Sequence, residues 1–463
     1  MYRTILTLLT GSSMLICSGC ETGRTRPGST QVRPGNASAT AWPVLKAVPE
    51  PPVSSLPEGA ITLRDALACA LMHNPDLKAF AFEVRAAEAR ALQASLLPNP
   101  HVHVEVEEFG GAGDRGGFDA AEAGIELGQL IELGGKRDKR IRLASLDEEQ
   151  VRWNYESVRL DVMLEVTQAF VGVLAAQERV ALSEKLLDVA RKAQSAVAQR
   201  VEAGKDPPVE ELRANVALSK SEIEAKKASN TLATARRKLA AALGRETVDF
   251  EKATGEFYTA PPAPSFDEVA DAVTESPDLE RWAAEERKRR AAVELEKAKV
   301  TSDVTVSGGV RYFEEGDDTA LVVSVALPIP VFDRNQGGVE VAMEKLAQAR
   351  EQYKAAKIRR TAALAEALNR LGGAYDEVAA LQNDVLANAQ RAFETASQGY
   401  EEGKFDYLYV LDAQRTLFET RAQYIDAVET YHKSRAQAER LMGRGIDTTD
   451  KDQNQTPTGG PTQ

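Results

Sequence analysis

The chain has 463 residues, 43% of them apolar and 27% charged, a balance that excludes a disordered polymer and is ordinary for a folded protein. Its formal net charge of −13 argues against a nucleic-acid partner, because phosphate binding needs a basic surface that releases counterions. Aromatic residues make up only 6%, and alanine and charged residues fill long stretches, which favours extended helices packed through small side chains over a large globular core.

At the N-terminus Arg3 precedes an apolar run from Ile5 to Ile16, followed by Cys17-Ser18-Gly19-Cys20. The run is too short to span a bilayer as a helix and has the layout of a secretory signal, expected over residues 1–19. Ser18 and Gly19 before Cys20 resemble a bacterial lipobox, which would leave Cys20 as a lipid-bearing first residue. Glu21 follows it, and the absence of aspartate there is similar to an outer-membrane sorting signal. Cys69 would then be the one remaining thiol, so no intrachain disulfide is expected, and its alanine-rich surroundings suit a small buried hydrophobe. Residues 20–58, rich in Pro, Ser, Thr and Gly, are expected to form a lipid-anchored extension, and residues 446–463 a disordered tail.

Between these ends the chain repeats itself at an offset of about 200 residues. Asn74-Pro75-Asp76-Leu77 is echoed by Ser276-Pro277-Asp278-Leu279, each opening a charged, alanine-rich helical segment. Leu127-Gly128-Gln129-Leu130 is answered by Leu327-Pro328-Ile329-Pro330, and the Arg200 to Lys205 segment by Gly399 to Lys404. Leu243-Gly244 matches Met442-Gly443. Four ordered echoes define two tandem copies, residues 59–245 and 266–445, joined by a linker at 246–265. Each copy reads as helix, two strands, a very long helix, a tight turn and a return helix.

In the first copy Val102, Val104 and Val106 alternate with His101, His103, Glu105 and Glu107, which predicts a strand over about residues 101–109 with one apolar face. A second alternating run, through Ala123, Ile125 and Leu127, predicts a strand at about 120–130. The second copy repeats this at about 303–313 and 320–329. Strands of roughly nine residues cross a bilayer when tilted, yet four cannot close a barrel and open edges are not tolerated in lipid. Several protomers must therefore share one barrel.

From about residue 135 to 203 no proline interrupts the chain, enough for a helix of roughly 100 Å. Leu160, Leu164, Thr167, Val171 and Leu174 follow a coiled-coil spacing, and Val158, Val162, Val166, Ala169 and Val173 form a second apolar line. Two seams imply neighbours on two sides, as in the wall of a helical tube. The break Gly204-Lys205-Asp206-Pro207-Pro208 is expected to end the helix on glycine and to offer Asp206 as the N-cap of the return helix. Gly403-Lys404-Phe405-Asp406 repeats the device, so the tips lie near 204–207 and 403–406.

These segments, with Glu132-Leu-Gly-Gly-Lys-Arg137 through Arg140 and Val410-Leu411-Asp412-Ala413-Gln414, resemble the TolC-like outer-membrane efflux protein family over about residues 60 to 445. The resemblance implies a mainly α fold with a small β part, assembled as a homotrimer with a twelve-stranded β-barrel and a long periplasmic α-helical barrel. It implies no enzymatic activity and no cofactor. The partners would be a periplasmic adaptor, an inner-membrane RND pump and the lipid of the outer membrane, with no nucleic acid.

The Leu-Gly-Gly-Lys-Arg segment and the lipobox look most similar to the heavy-metal branch of that family, of the cobalt-zinc-cadmium and copper-silver type. By the same resemblance Asp412 and Tyr400 fall at the periplasmic gate, and Arg200, Gly204, Lys205, Gly403 and Lys404 at adaptor-contacting tips. Phe405 stands where some members carry arginine, so a closing network cannot be carried over whole. His101 and His103 share a strand face beside Glu105 and Glu107, a candidate contact for soft cations. No phosphate loop, zincin helix or nucleophile elbow accompanies them. Within the family a drug-efflux duct or a type I secretion duct shares these features. A structural coiled-coil lipoprotein would lack a reason for the alternating strands.

Overall fold

The computed structural model describes residues 59–247 and 250–446. The expected signal sequence, the lipidated Cys20, the extension to residue 58 and the tail from 447 lie outside the described residues.

The protein is mainly helical. Strand β1 (Ala60–Thr62) leads into α1 (Leu63–His73) and α2 (Pro75–Ser95), then β2 (His101–Glu107) and β3 (Glu122–Ile131). The long helix α3 (Lys136–Glu202) and the return helix α4 (Pro208–Ala242) follow. After β4 (Lys252–Thr254) the order recurs: α5 (Phe266–Thr274), α6 (Pro277–Ala298), β5 (Val304–Phe313), β6 (Asp318–Ala326), α7 (Gln336–Ala380), α8 (Leu386–Glu401) and α9 (Tyr407–Met442). A single π-helical turn, Leu381–Val385, joins α7 to α8 without breaking the rod.

Local chemistry explains the starts. Thr62 and Asp65 form a capping box at α1. Asn74 caps α2, its Oδ1 accepting from the Asp76 and Leu77 amides, while Pro75 fills the first turn where no N–H is needed. The echoed motifs also touch each other. Gly244, at φ +75°, sits against the His73 carbonyl, Asn74 and Pro75, and Gly443 sits against Ser276 and Pro277. Asn74 adds a bond from Nδ2 to the Ala242 carbonyl, 3.2 Å. Each copy thus closes its last helix onto its first.

Strands β2-β3-β5-β6 form one antiparallel sheet to which each copy gives a hairpin, with β2 and β6 at the two edges. The strand at the β6 edge ends at Ala326, short of the expected 329, because Pro328 and Pro330 carry no N–H for a ladder. The parallel pair β1-β4 lies apart from that sheet, beside a core of Ile61, Phe170, Leu239, Leu243 and Phe250. Two further cores follow the helices, one around Leu371, Val428 and Tyr431 and one around Leu279, Leu364 and Leu441. A fourth, smaller core lies at the hairpin tips, formed by Val197, Ala214, Ala396, Tyr400, Tyr407 and Val410.

Candidate functional site: the hairpin tips and the polar face of the sheet

Both tips end in the same backbone device. Gly204, φ +69°, follows α3, with the Lys205 amide bonded to the Arg200 carbonyl at 2.8 Å and the Gly204 amide to Val201 at 2.9 Å. Gly403, φ +74°, follows α8, with Lys404 bonded to Gly399 at 2.7 Å and Gly403 to Tyr400 at 2.9 Å. This is the Schellman closure, and glycine carries it because a Cβ disfavours the left-handed region.

The side chains then diverge. Asp206 is not the N-cap of α4; Pro207 holds that position and makes no side-chain bond. Asp206 is instead drawn to Arg200, which donates from Nε to Oδ2 at 2.8 Å and from Nη2 to Oδ1 at 3.0 Å. The Tyr400 hydroxyl donates to the same Oδ2 at 2.8 Å, and the Arg200 guanidinium lies 4.6 Å from the centre of the Tyr400 ring. A bidentate charged pair satisfies both partners better than a single cap bond, which is why the carboxylate turns away from the helix.

These three residues clasp the first hairpin to the second. The bonds from Arg200, then from Tyr400, hold the Asp206 carboxyl below its ordinary range, while burial and the same carboxylate push the Tyr400 hydroxyl up. Burial, with Glu210 nearby, pushes Tyr407 up to about 12. In the second tip the Phe405 ring covers Gly399 in place of an ion pair. Lys205 is exposed, and Lys404 is exposed and pairs with Glu402 at 2.5 Å. Asp412 is exposed on α9 and takes no part in the clasp.

On the sheet the register sets His101 opposite Gly128, His103 opposite Glu126, Glu105 opposite Gly124 and Glu107 opposite Glu122. The His101 imidazole lies over Gly128, where a Cβ would meet it at 2.5 Å. Arg311 of β5 reaches Glu122 at 3.1 Å, Glu105 at 3.2 Å and Glu107 at 3.6 Å. Glu126 meets Ser324 at 3.3 Å. Among the described residues no group of three His, Cys, Asp or Glu side chains is arranged to hold a metal ion. The opposite face is apolar and exposed, with Leu321 at 85% and Val323 at 79%.

Sequence reading missed two of these roles. The i, i+6 relation of Arg200 and Asp206 across a glycine turn was the available signal for the first. No local signal existed for Arg311, whose partners lie about 190 to 206 positions away.

A strand pair and a long helical hairpin, taken twice and sharing one sheet, is the fold of the TolC-like channels. The solved structure of CusC, described in terms of transmembrane channel formation, has a TM-score of 0.69 at 18% identity, covering 83% of this chain and 92% of that one. The family described as Outer membrane efflux protein matches residues 66–245 and 269–444, one match on each copy, and the chain belongs to it. The cobalt-zinc-cadmium resistance protein CzcC of Cupriavidus metallidurans is 35% identical over 386 residues, 83% of this chain and 91% of the relative. The nickel-cobalt-cadmium resistance protein NccC of Alcaligenes xylosoxydans xylosoxydans is 27% identical, over 71% of this chain and 72% of its own length.

Proposed function

We propose that this outer membrane efflux protein is the passive exit duct of a tripartite RND-type system that exports heavy-metal cations. The observation that carries the duct reading is the open sheet: four strands with one exposed apolar face and, within the described chain, unpaired edges at β2 and β6. Lipid tolerates such a sheet only when its edges are closed, and three copies would supply a twelve-stranded barrel. The relatives' printed names support metal cations as the substrate class.

In this reading the clasp of Arg200, Asp206 and Tyr400 holds the hairpin tips together. Three copies of Asp412 would form an acidic ring beside it, favouring cations and repelling one another. The tips around Gly204, Lys205, Gly403 and Lys404 would meet the adaptor, and the pump supplies the energy. Two histidines without a third ligand suit a passing cation better than a held one, so His101 and His103 are a transient contact. Replacing both with Gln should alter metal conductance, and unchanged conductance removes that role.

The experiment for the whole reading is deletion of the gene in its host, with parallel tests of metal, drug and protein-secretion phenotypes. Selective sensitivity to divalent metals is the expected result. A lost secreted protein with normal metal resistance would make this a type I secretion duct instead.

A further inference from the structure

The apolar stripe of the sheet does not stop where its strands stop. On β6 the alternation Leu321, Val323, Val325 continues through Leu327 and Ile329, still 54% and 78% exposed, into a turn where Phe332 is 91% exposed. On β3 the same face carries the exposed Ile125 and Leu127, then the half-buried Gln129, then the exposed Ile131 and, past the strand end, Leu133. Leu321 to Ile329 spans about 26 Å along the strand direction, close to the apolar band of an outer-membrane barrel.

At the same end of the sheet the stripe meets positive charge. Residues 136–142 hold Lys136, Arg137, Lys139, Arg140 and Arg142 against one acid, Asp138, in a chain whose net charge is −13. Lys136 is committed to Asp303 and Arg140 to Glu132. Arg137 is exposed, and among the described residues its guanidinium donates to the Ser95 carbonyl, from Nε at 2.9 Å and Nη2 at 2.6 Å, and makes no ion pair. Arg334, two residues after Phe332, is exposed, and its guanidinium has no hydrogen-bond or ion-pair partner among the described residues.

We infer that this helix-side rim is a binding surface for anionic phospholipid headgroups. The inference rests on the membrane reading above and adds to it the lipid class and the residues. The exposed aliphatic and aromatic turn is followed, past the exposed Asp333, by Arg334; apolar side chains giving way to a cation is the order of chemistry found across a bilayer interface, from acyl chain to phosphate. The prolines at 328 and 330 remove two ladder donors, and the chain turns locally with the Val331 amide bonded to the Ile329 carbonyl at 2.9 Å, its apolar side chains left exposed. Arg334 and Arg137 take the phosphate, and each basic group near an anionic surface strengthens the attraction.

The test uses the full chain in vesicles of phosphatidylcholine alone and of phosphatidylcholine mixed with phosphatidylglycerol, followed by mass spectrometry of the lipids retained after gentle extraction. Phosphatidylglycerol should be retained above its bulk proportion, and R334Q should lower that excess several-fold while retained phosphatidylcholine stays constant. Millimolar inorganic phosphate should leave the excess in place. Equal retention by R334Q and by a second variant, R137Q, overturns the inference, as does displacement by free phosphate. A chain that stays out of vesicles of both compositions overturns the membrane reading itself, a result distinct from insertion without lipid preference.

Discussion

Arg200 and Asp206 face each other across the first hairpin tip at 2.8 Å, and the residues at the matching places of the second tip are Gly399 and Phe405, a ring laid over a glycine. Two copies with the same Schellman backbone thus close by opposite chemistries, one ionic and one aromatic. Only the ionic tip can reach across, because its carboxylate has lone pairs left for the Tyr400 hydroxyl. D206A should therefore loosen the tips, leaving Arg200 without its carboxylate and only the apolar core of Val197, Ala214, Tyr400 and Tyr407 between the hairpins there. A loss of about 1–2 kcal/mol of tip stability is expected, at the lower end for a charged pair because the site is partly exposed. Hydrogen exchange at the ends of α3 and α8 checks this; unchanged protection there would show that Asp206 does not hold the tips.

The backbone half of this site was legible in the sequence. Gly204 and Gly403 sit where a periodic helical run stops, each is followed by Lys, and the first also by Pro207 and Pro208, so helix ends and tip positions could be read directly. The side-chain half was not. Asp before Pro-Pro reads locally as a cap, and the competing partner Arg200 lies on the far side of the turn while Tyr400 lies 194 positions away. The same limit hid Arg311, whose carboxylates come from two other strands. Alternation gives the face of a residue and never its neighbour across the sheet.

Acid should loosen the clasp. The folded Asp206 carboxyl lies below its ordinary value, so its contribution is fully present above the unfolded value of about 4 and fades as pH falls through the lower folded value. Tip protection is expected to be constant between pH 5 and 8 and to drop in stronger acid, and D206N should abolish that acid-dependent phase. A transition of equal size in D206N would assign it to other carboxylates.

Gly244 offers a sharper stability test than either tip glycine. It combines φ +75° with backbone contacts that have no room to give, since a Cβ would lie 2.8 Å from the His73 carbonyl and 2.9 Å from the Asn74 Cα. G244A should cost about 2–3 kcal/mol, from conformational strain and the displaced α1–α2 junction. G399A meets only the movable Phe405 ring and should cost about 1 kcal/mol, much of it recovered in G399A/F405L. Thermal melts of the variants check the order; a G399A loss larger than that of G244A would contradict it.

Arg311 sets the charge of the sheet's polar face, one guanidinium against the carboxylates of Glu105, Glu107 and Glu122. All four side chains keep access to water, so R311Q should cost under about 1 kcal/mol of stability. Its electrical effect should be larger than its structural one. In the duct reading this face lines the path, and removing the cation leaves three uncompensated carboxylates on each chain. A pore of purified protein in a planar bilayer should then become more cation-selective, with a reversal potential displaced at low salt and restored as salt screens the face. Glu122→Gln in the same background should move the potential back part of the way. If R311Q leaves the reversal potential unchanged at low salt, the polar face of β2, β3 and β5 does not border the conducting path, whatever the sheet does in the membrane.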